Sequence, residues 1–188
     1  MAKTRQTEGP PGRIRIIGGR WRGRKLPVPD APGLRPTPDR VRETLFNWLQ
    51  PLIPGARCLD LYAGTGALGL EALSRGAAHV HFVDNNVVLT DAIQTLARTL
   101  AADATVVTAA AGDWLPGNAD HFDVIFLDPP FGQDLLAGII DLIGEHECLK
   151  PGGLVYIESE RDPAPLPGLE IKKQKTAGDV QFGLYGFR

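Results

Sequence analysis

Residues 59–69 read LDLYAGTGALG and place Gly64, Gly66 and Gly69 in the pattern G-x-G-x-x-G, directly between an apolar strand and a helical segment. Such glycines allow a tight turn and let a ligand approach the backbone and the N-terminus of the following helix. Glycines at this kind of turn can also serve packing alone, so the pattern by itself is a weak sign of nucleotide binding. It predicts the first strand-to-helix turn of an α/β sheet.

Apolar strands alternate with helical stretches on the C-terminal side of this turn. The five strands predicted in this region are residues 58–61, 79–83, 105–108, 124–127 and 154–157. Strands that alternate with helices predict a Rossmann-like, doubly wound α/β fold with a mostly parallel sheet. Two further strand-like runs, residues 169–173 and 180–185, have no convincing helix between them. They predict an antiparallel hairpin that closes the sheet.

Charge is distributed unevenly over the 188 residues, although the net charge is only −2. Residues 1–42 hold eleven Lys or Arg against three Asp or Glu, and the remaining residues carry a net charge of −10. This split indicates a basic arm for a polyanion on an acidic body, with a merely solvated basic tail as the plainer alternative. The predicted nucleic-acid contacts are Arg13, Arg15, Arg20, Arg22, Arg24, Lys25, Arg35 and Arg40.

The chain length fits one domain with a short extension. Five prolines crowd between residues 27 and 38, which predicts a linker or extended loop. We therefore expect a basic extension over residues 1–36, formed by a small hairpin and a Pro-rich linker, and a catalytic domain over residues 37–188. Thr37 is predicted to cap a helix whose first position is Pro38.

Several classes of protein are disfavoured by what the sequence contains. Cys58 and Cys148 are the only cysteines, and the four histidines lack metal-ligand spacing, so neither a disulfide framework nor a metal site is expected. No secretory signal is recognised, and no apolar run approaches the ~18 residues of a membrane span. We expect a cytoplasmic, monomeric protein without a membrane segment or a metal.

Acidic residues follow the second and third predicted strands. Asp84 lies eighteen residues beyond Gly66, where a carboxylate can accept both ribose hydroxyls of a nucleoside. Both NAD and S-adenosylmethionine (SAM) carry a ribose, so this residue does not choose between them. Asp113 and Trp114 could hold and flank an adenine ring, or serve as a loop cap and a core residue.

The sequence Asp128-Pro129-Pro130-Phe131 follows the fourth predicted strand, at the edge where open α/β sheets bind ligands. The prolines stiffen the turn and place an acidic and an aromatic side chain beside the cleft. An exocyclic amino group of a nucleobase is a poor nucleophile, and acceptors such as the Asp128 carboxylate and the Pro129 carbonyl can draw on its hydrogens while Phe131 stacks on the base. The motif predicts methyl transfer to a base amino group.

Through residues 128–131, the chain resembles the SAM-dependent methyltransferases with a D/N-P-P-F/Y motif, which act on amino groups of adenine or guanine. Further strings resemble the bacterial 16S rRNA guanine N2-methyltransferase family, whose target is guanine 966 of the small-subunit rRNA. Those strings are RIIGG at 15–19, WRGR at 21–24, LRPT at 34–37, DRVRETLF at 39–46 and GLEALSRG at 69–76. The resemblance covers nearly the whole chain, from about residue 13 to residue 185.

The resemblance implies a SAM-methyltransferase sheet and a set of residue roles. It assigns the loop residues Ala63, Gly64 and Gly66 to the methionine part of SAM, Asp84 to the ribose, and Asp113 with Trp114 to the adenine. Residues 128–131 are assigned to the target guanine. Asp60 and Asn85, beside the loop and beside Asp84, complete the predicted cofactor site.

The leading hypothesis is therefore a SAM-dependent methyltransferase that modifies guanine N2 in 16S rRNA, as naked RNA or in an assembling small ribosomal subunit. A DNA or RNA adenine N6-methyltransferase would use the same D-P-P-F geometry. The glycine loop and Asp84 alone would also allow an NAD-dependent oxidoreductase. A non-catalytic RNA-binding assembly factor that keeps a vestigial cofactor fold is the remaining alternative.

Overall fold

The computed structural model describes residues 12–29, 37–130, 135–160 and 166–188. An N-terminal hairpin of β1 (Gly12–Arg15) and β2 (Lys25–Val28), with a 3₁₀ turn at Gly19–Trp21, precedes α1 (Asp39–Trp48). The main body follows as β3 (Arg57–Leu61), α2 (Ala67–Ser74), β4 (His79–Asp84), α3 (Val87–Thr99), β5 (Ala104–Thr108), α4 (Ala111–Trp114), a 3₁₀ turn (Leu115–Gly117), β6 (Phe122–Leu127), α5 (Leu135–Glu145), β7 (Leu149–Glu160), β8 (Leu169–Ala177) and β9 (Val180–Phe187).

Seven strands form one sheet in the order β5-β4-β3-β6-β7-β9-β8. The strands from β5 to β7 are parallel, and β9 runs antiparallel between β7 and β8. From β3 the chain adds β4 and β5 on one side, and then returns to add β6 on the other side of β3. The strand order therefore reverses between β3 and β6, and open α/β sheets bind their ligands at such a reversal. The predicted Rossmann-like α/β fold and its antiparallel C-terminal strands are confirmed.

Hydrophobic cores cover both faces of the sheet because successive strand residues point to opposite sides. Phe126 packs with Phe46 and Phe82 on the face that α1 and α2 cover, whereas its neighbour Ile125 packs with Ile140 of α5 on the other face. The cavity described below opens above both layers at the carboxyl ends of the strands. In the described part of the chain, no helix has the length and apolar character needed to cross a membrane.

The N-terminal hairpin packs into the same core as the sheet. Ile14, Ile16, Trp21 and Leu26 are buried in the cluster that also contains Phe82. The predicted division at residue 36, which was drawn at the proline-rich stretch, stays a prediction. Residues 1–11 and 30–36 of the predicted extension and linker lie outside the described residues.

The start of α1 differs from its prediction. The helix begins at Asp39 rather than Pro38, because Pro38 has a ψ of 144° and stands at the cap position. The backbone N–H groups of Val41 and Arg42 close the first turn on the Pro38 carbonyl. Thr37 makes no cap there, and its hydroxyl donates instead to Oδ2 of Asp128 at 3.3 Å. The segment before α1 is therefore tied to the predicted catalytic motif.

Candidate active site

The glycine loop after β3 has the backbone shape that its sequence predicts. Gly64 (φ 51°) and Gly66 (φ 75°) occupy the left-handed region, which glycine adopts without steric cost. Glycine is required at position 69 for a different reason, because a Cβ there would lie 2.2 Å from Cε1 of Phe82. Two glycines therefore shape the turn, and the third lets α2 pack closely on β4.

Asp84, at the end of β4, ties this loop to the next helix. Its Oδ2 accepts from the backbone N–H of Gly64 at 2.8 Å, and its Oδ1 accepts from that of Asn86 at 2.9 Å. Asn86 in turn caps α3 by accepting from the N–H of Val88. Because an ionised carboxylate has about four acceptor positions, Asp84 retains the capacity to accept hydroxyl groups of a ligand.

Asp60 lies beneath the loop with only 3% of its surface exposed. Its Oδ2 accepts from the backbone N–H of Gly69 at 2.9 Å. Burial raises the pKa of the Asp60 carboxyl to about 7; the Gly69 hydrogen bond lowers this pKa and the charge of Asp84 raises it. The site thus contains a carboxyl group that titrates near neutral pH.

A cavity of about 1150 Å³ opens at the carboxyl ends of the strands. This volume exceeds the ~300–1,000 Å³ of typical small-molecule sites, so a nucleoside cofactor and a base can occupy it together. Eight predicted site residues line it: Asp60, Ala63, Gly64, Asp84, Asn85, Asp128, Pro129 and Pro130. The structure therefore brings the predicted cofactor loop and the predicted catalytic motif to one space.

Three other predicted cofactor residues are placed differently. In the described residues, the cavity lining includes residues 109–112 but not Gly66, Asp113 or Trp114. Gly66 sits at the base of the turn and accepts the N–H of Leu70. Residues 111–114 form a helical turn. In this turn Asp113 is exposed, and the Trp114 ring packs edge-on against the His81 ring, with the ring centroids 6.1 Å apart. The adenine contact of Asp113 and Trp114 stays a prediction.

The other end of the cavity surrounds Asp128 and contains two residues that the sequence reasoning missed. Thr37 holds Asp128 from the start of α1, and Glu158 lines the cavity from the end of β7. Glu158 accepts a hydrogen bond from the Tyr156 hydroxyl at 2.9 Å. The sequence could have indicated Glu158, because it is an acidic residue at the end of the strand that follows β6. No sequence feature indicated that Thr37 belongs to the site. Phe131 lies outside the described residues.

The predicted nucleic-acid contacts lie on the outer side of the N-terminal hairpin and on α1. The hairpin alternates buried apolar with exposed basic residues, and Trp21 is buried rather than available to a base. The Arg20 guanidinium lies 4.1 Å from the centroid of the Trp21 ring. The exposed basic residues are Arg13, Arg15, Arg20, Arg22, Arg24, Lys25 and Arg40, while Arg35 lies outside the described residues. The hairpin therefore presents its charges from a packed scaffold.

Comparisons with known proteins show the family of this chain. The family model described as Conserved hypothetical protein 95 matches residues 14–186. Ribosomal RNA small subunit methyltransferase D of Escherichia coli K12 is 48% identical over 178 residues, covering 93% of this chain and 90% of that protein. This chain belongs to that family. The predicted resemblance to the small-subunit rRNA methyltransferases is confirmed.

Two further relatives cover almost the whole chain. The Haemophilus influenzae protein described as ribosomal RNA small subunit methyltransferase D is 46% identical over 187 residues, covering 96% of this chain and 97% of that protein. A solved structure described as a putative methyltransferase from Escherichia coli superposes with a TM-score of 0.86 at 46% identity, covering 94% of this chain and 98% of that one. These relatives favour methyl transfer over the oxidoreductase alternative.

Proposed function

We propose that this protein transfers a methyl group from SAM to the exocyclic N2 amino group of a guanine, guanine 966, in 16S rRNA. The observation that carries this proposal is the single cavity into which both the glycine loop and the Asp128-Pro129-Pro130 turn open. Cofactor and target base must meet within a few ångströms for methyl transfer, and positioning two reactants in one site supplies much of the rate.

The residues of the loop end fit SAM. The left-handed turn at Gly64 offers backbone N–H groups and close approach to the methionine part, and Asp84 is held where it can accept the ribose hydroxyls. Residues 109–112 line the cavity, and we assign this wall to the adenine. When bound, SAM supplies a methyl group already activated on a positively charged sulfur.

Asp128 is the residue we assign to the target amino group. Hydrogen bonds from that amino group to a carboxylate favour the lone pair's attack, and the nitrogen must lose one proton as it gains the methyl carbon. Asp128 accepts that proton, directly or through water. The Thr37 hydroxyl fixes one carboxylate oxygen, the carbonyl of Pro129 is the second acceptor, and Phe131 stacks on the base.

The exposed basic face of the hairpin supplies the affinity for rRNA. Arginine side chains favour bidentate contacts with phosphate groups, and a rigid display of several arginines lowers the entropy cost of forming those contacts. The substrate is 16S rRNA, alone or in an assembling small subunit in the cytoplasm.

The test is to incubate labelled SAM with the full chain and small-subunit rRNA that lacks the modification, as naked RNA and as assembled particles. The rRNA is then digested to nucleosides for mass spectrometry. We expect N2-methylguanosine at one position of the small-subunit rRNA. A product containing only N6-methyladenine would overturn the proposal, and so would incorporation into neither substrate.

A further inference from the structure

Glu158 is an acidic residue inside the cavity to which the proposed methyl transfer assigns no role. It is 6% exposed, lies near the end of β7 and lines the same cavity as Asp128. Strands β6 and β7 are parallel, with Phe126 opposite Tyr156 and Leu127 opposite Ile157. The next residues in this register are Asp128 and Glu158, so the two carboxylates leave neighbouring strand ends side by side.

Packing below the two carboxylates places them on the same face of the sheet. Alternate residues of a strand share a face, and the rings of Phe126 and Tyr156 meet there with centroids 6.4 Å apart. Burial and the negative charges of Glu158 and Asp128 raise the pKa of Tyr156 well above its ordinary value. Tyr156 therefore keeps its proton, and its hydroxyl donates a hydrogen bond to Oε2 of Glu158, which fixes that carboxylate.

Two carboxylates beside one another in a partly dehydrated cavity repel, and their repulsion falls when hydrogen-bond donors lie between them. The arrangement therefore suits a ligand with two adjacent N–H donors. The Watson–Crick edge of guanine has such a pair in N1–H and the N2 amino group, whereas adenine has an amino group next to N1, an acceptor.

We propose that Glu158 accepts the N1–H of the target guanine while Asp128 accepts from its N2 amino group, so that Glu158 selects guanine over bases that lack a proton at N1. This inference rests on the proposed function and names the selectivity residue of that site. With an adenine, the Glu158 carboxylate faces the N1 lone pair. Sites that hydrogen-bond a substrate N–H reject analogues lacking it by up to about 10⁴- to 10⁵-fold.

The experiment uses 2-aminopurine, which keeps the 2-amino group but has an unprotonated N1. Small-subunit particles are reconstituted with either guanine or 2-aminopurine at the target position, and kcat/KM for methyl transfer is measured on both. The wild-type protein should favour guanine by at least ~100-fold. Glu158→Gln should lower kcat/KM on guanine at least ~10-fold and raise it on 2-aminopurine, because the amide can donate to N1 while its oxygen still accepts from Tyr156.

Two control variants separate selectivity from structural support. Tyr156→Phe removes only the donor to Glu158, and should lower turnover while keeping the preference for guanine. Glu170→Gln neutralises an exposed acid of β8 that pairs with Lys172, and should behave as wild type. Calorimetric affinity for the demethylated product of SAM should be the same in all variants, which reports an intact fold and loop.

The inference is wrong if Glu158→Gln keeps the wild-type preference for guanine, or if Glu158→Gln and Tyr156→Phe lower both activities by the same factor. Failure of the proposed function looks different, because the wild-type protein would then yield a product other than N2-methylguanosine from the guanine particles before any variant is compared.

Discussion

Single residues at the ends of β3, β4 and β6 line the cavity, and Asp128 is the one that the proposed function assigns to the target base. In the proposed mechanism, Asp128→Ala removes the carboxylate that accepts hydrogen bonds from the reacting amino group. Losing one well-placed transition-state acceptor costs ~3 to 4 kcal/mol, or a rate lower by about 10² to 10³. We expect that loss in single-turnover rate, with SAM affinity nearly unchanged.

Thr37→Val is the matched control for Asp128→Ala, because it removes only the hydroxyl that holds Asp128 and should cost about 1 kcal/mol, near the net value of one hydrogen bond. Wild-type turnover by Asp128→Ala would remove Asp128 from the mechanism.

The raised pKa of Asp60 predicts that the free energy of unfolding depends on pH. Its pKa is about 7 in the folded protein and 3.8 ordinarily, so between these values the folded protein keeps a proton that the unfolded chain releases. The Asp60 contribution to stability is therefore full below pH 4 and declines as pH rises to 7, by at most ~4 kcal/mol. Asp60→Asn, whose amide oxygen can still accept from Gly69, should gain stability relative to wild type over that range.

Urea unfolding at several values from pH 4 to pH 8 measures this difference. Asp141→Asn, an exposed change on α5, is the control and should run parallel to wild type. The Asp60 assignment fails if Asp60→Asn runs parallel as well.

At the scale of elements, the hairpin is joined to α2 by a buried carboxylate. Glu71 is fully buried and accepts the backbone N–H groups of Ile17 and Gly18 at 2.8 Å each, together with Nε of Arg75 at 2.7 Å. A Cβ on Gly19 would lie 1.8 Å from the Ser74 carbonyl, which shows how closely the hairpin turn approaches this helix.

Glu71→Ala should therefore loosen the hairpin. It leaves two backbone N–H groups without an acceptor. It also removes the ion-pair partner of the buried Arg42, whose Nη1 lies 3.8 Å from Oε2 of Glu71, and removing one partner from a buried charge pair typically costs ~3 to 5 kcal/mol. We expect rapid trypsin cleavage after the hairpin arginines and a lower midpoint of thermal unfolding. Glu145→Ala, an exposed change, is the control. Unchanged proteolysis in Glu71→Ala would show that apolar packing alone holds the hairpin.

Elements also show how far the sequence could be interpreted. The turn at Gly64 and the acids Asp84 and Asp128 were predictable because parallel strands end at one edge, so local patterns place those residues together. Glu71 looked like an ordinary helix residue, since its partners are more than fifty positions away. The insertion of β9 between β7 and β8 was equally hidden, because strand order depends on pairing between distant segments rather than on periodicity.

For the whole molecule, the uneven charge predicts a division between RNA affinity and cofactor affinity. Deleting the hairpin cannot test it, because Ile14, Ile16 and Leu26 belong to the core. Replacing Arg22, Arg24 and Lys25 by Gln changes only exposed side chains. If all three meet phosphates, the slope of log K against log salt should become shallower by about 2, at ~0.7 per contact with single-stranded RNA. The affinity for SAM and the melting temperature should stay within error of wild type.

Arg188→Gln, beside Gly168 at the opposite edge of the sheet from the cavity, is the control and should keep the wild-type slope. Because counterion release makes the slope a count of neutralised phosphates, a triple variant with the wild-type slope would mean that this face does not meet RNA, whatever its absolute affinity.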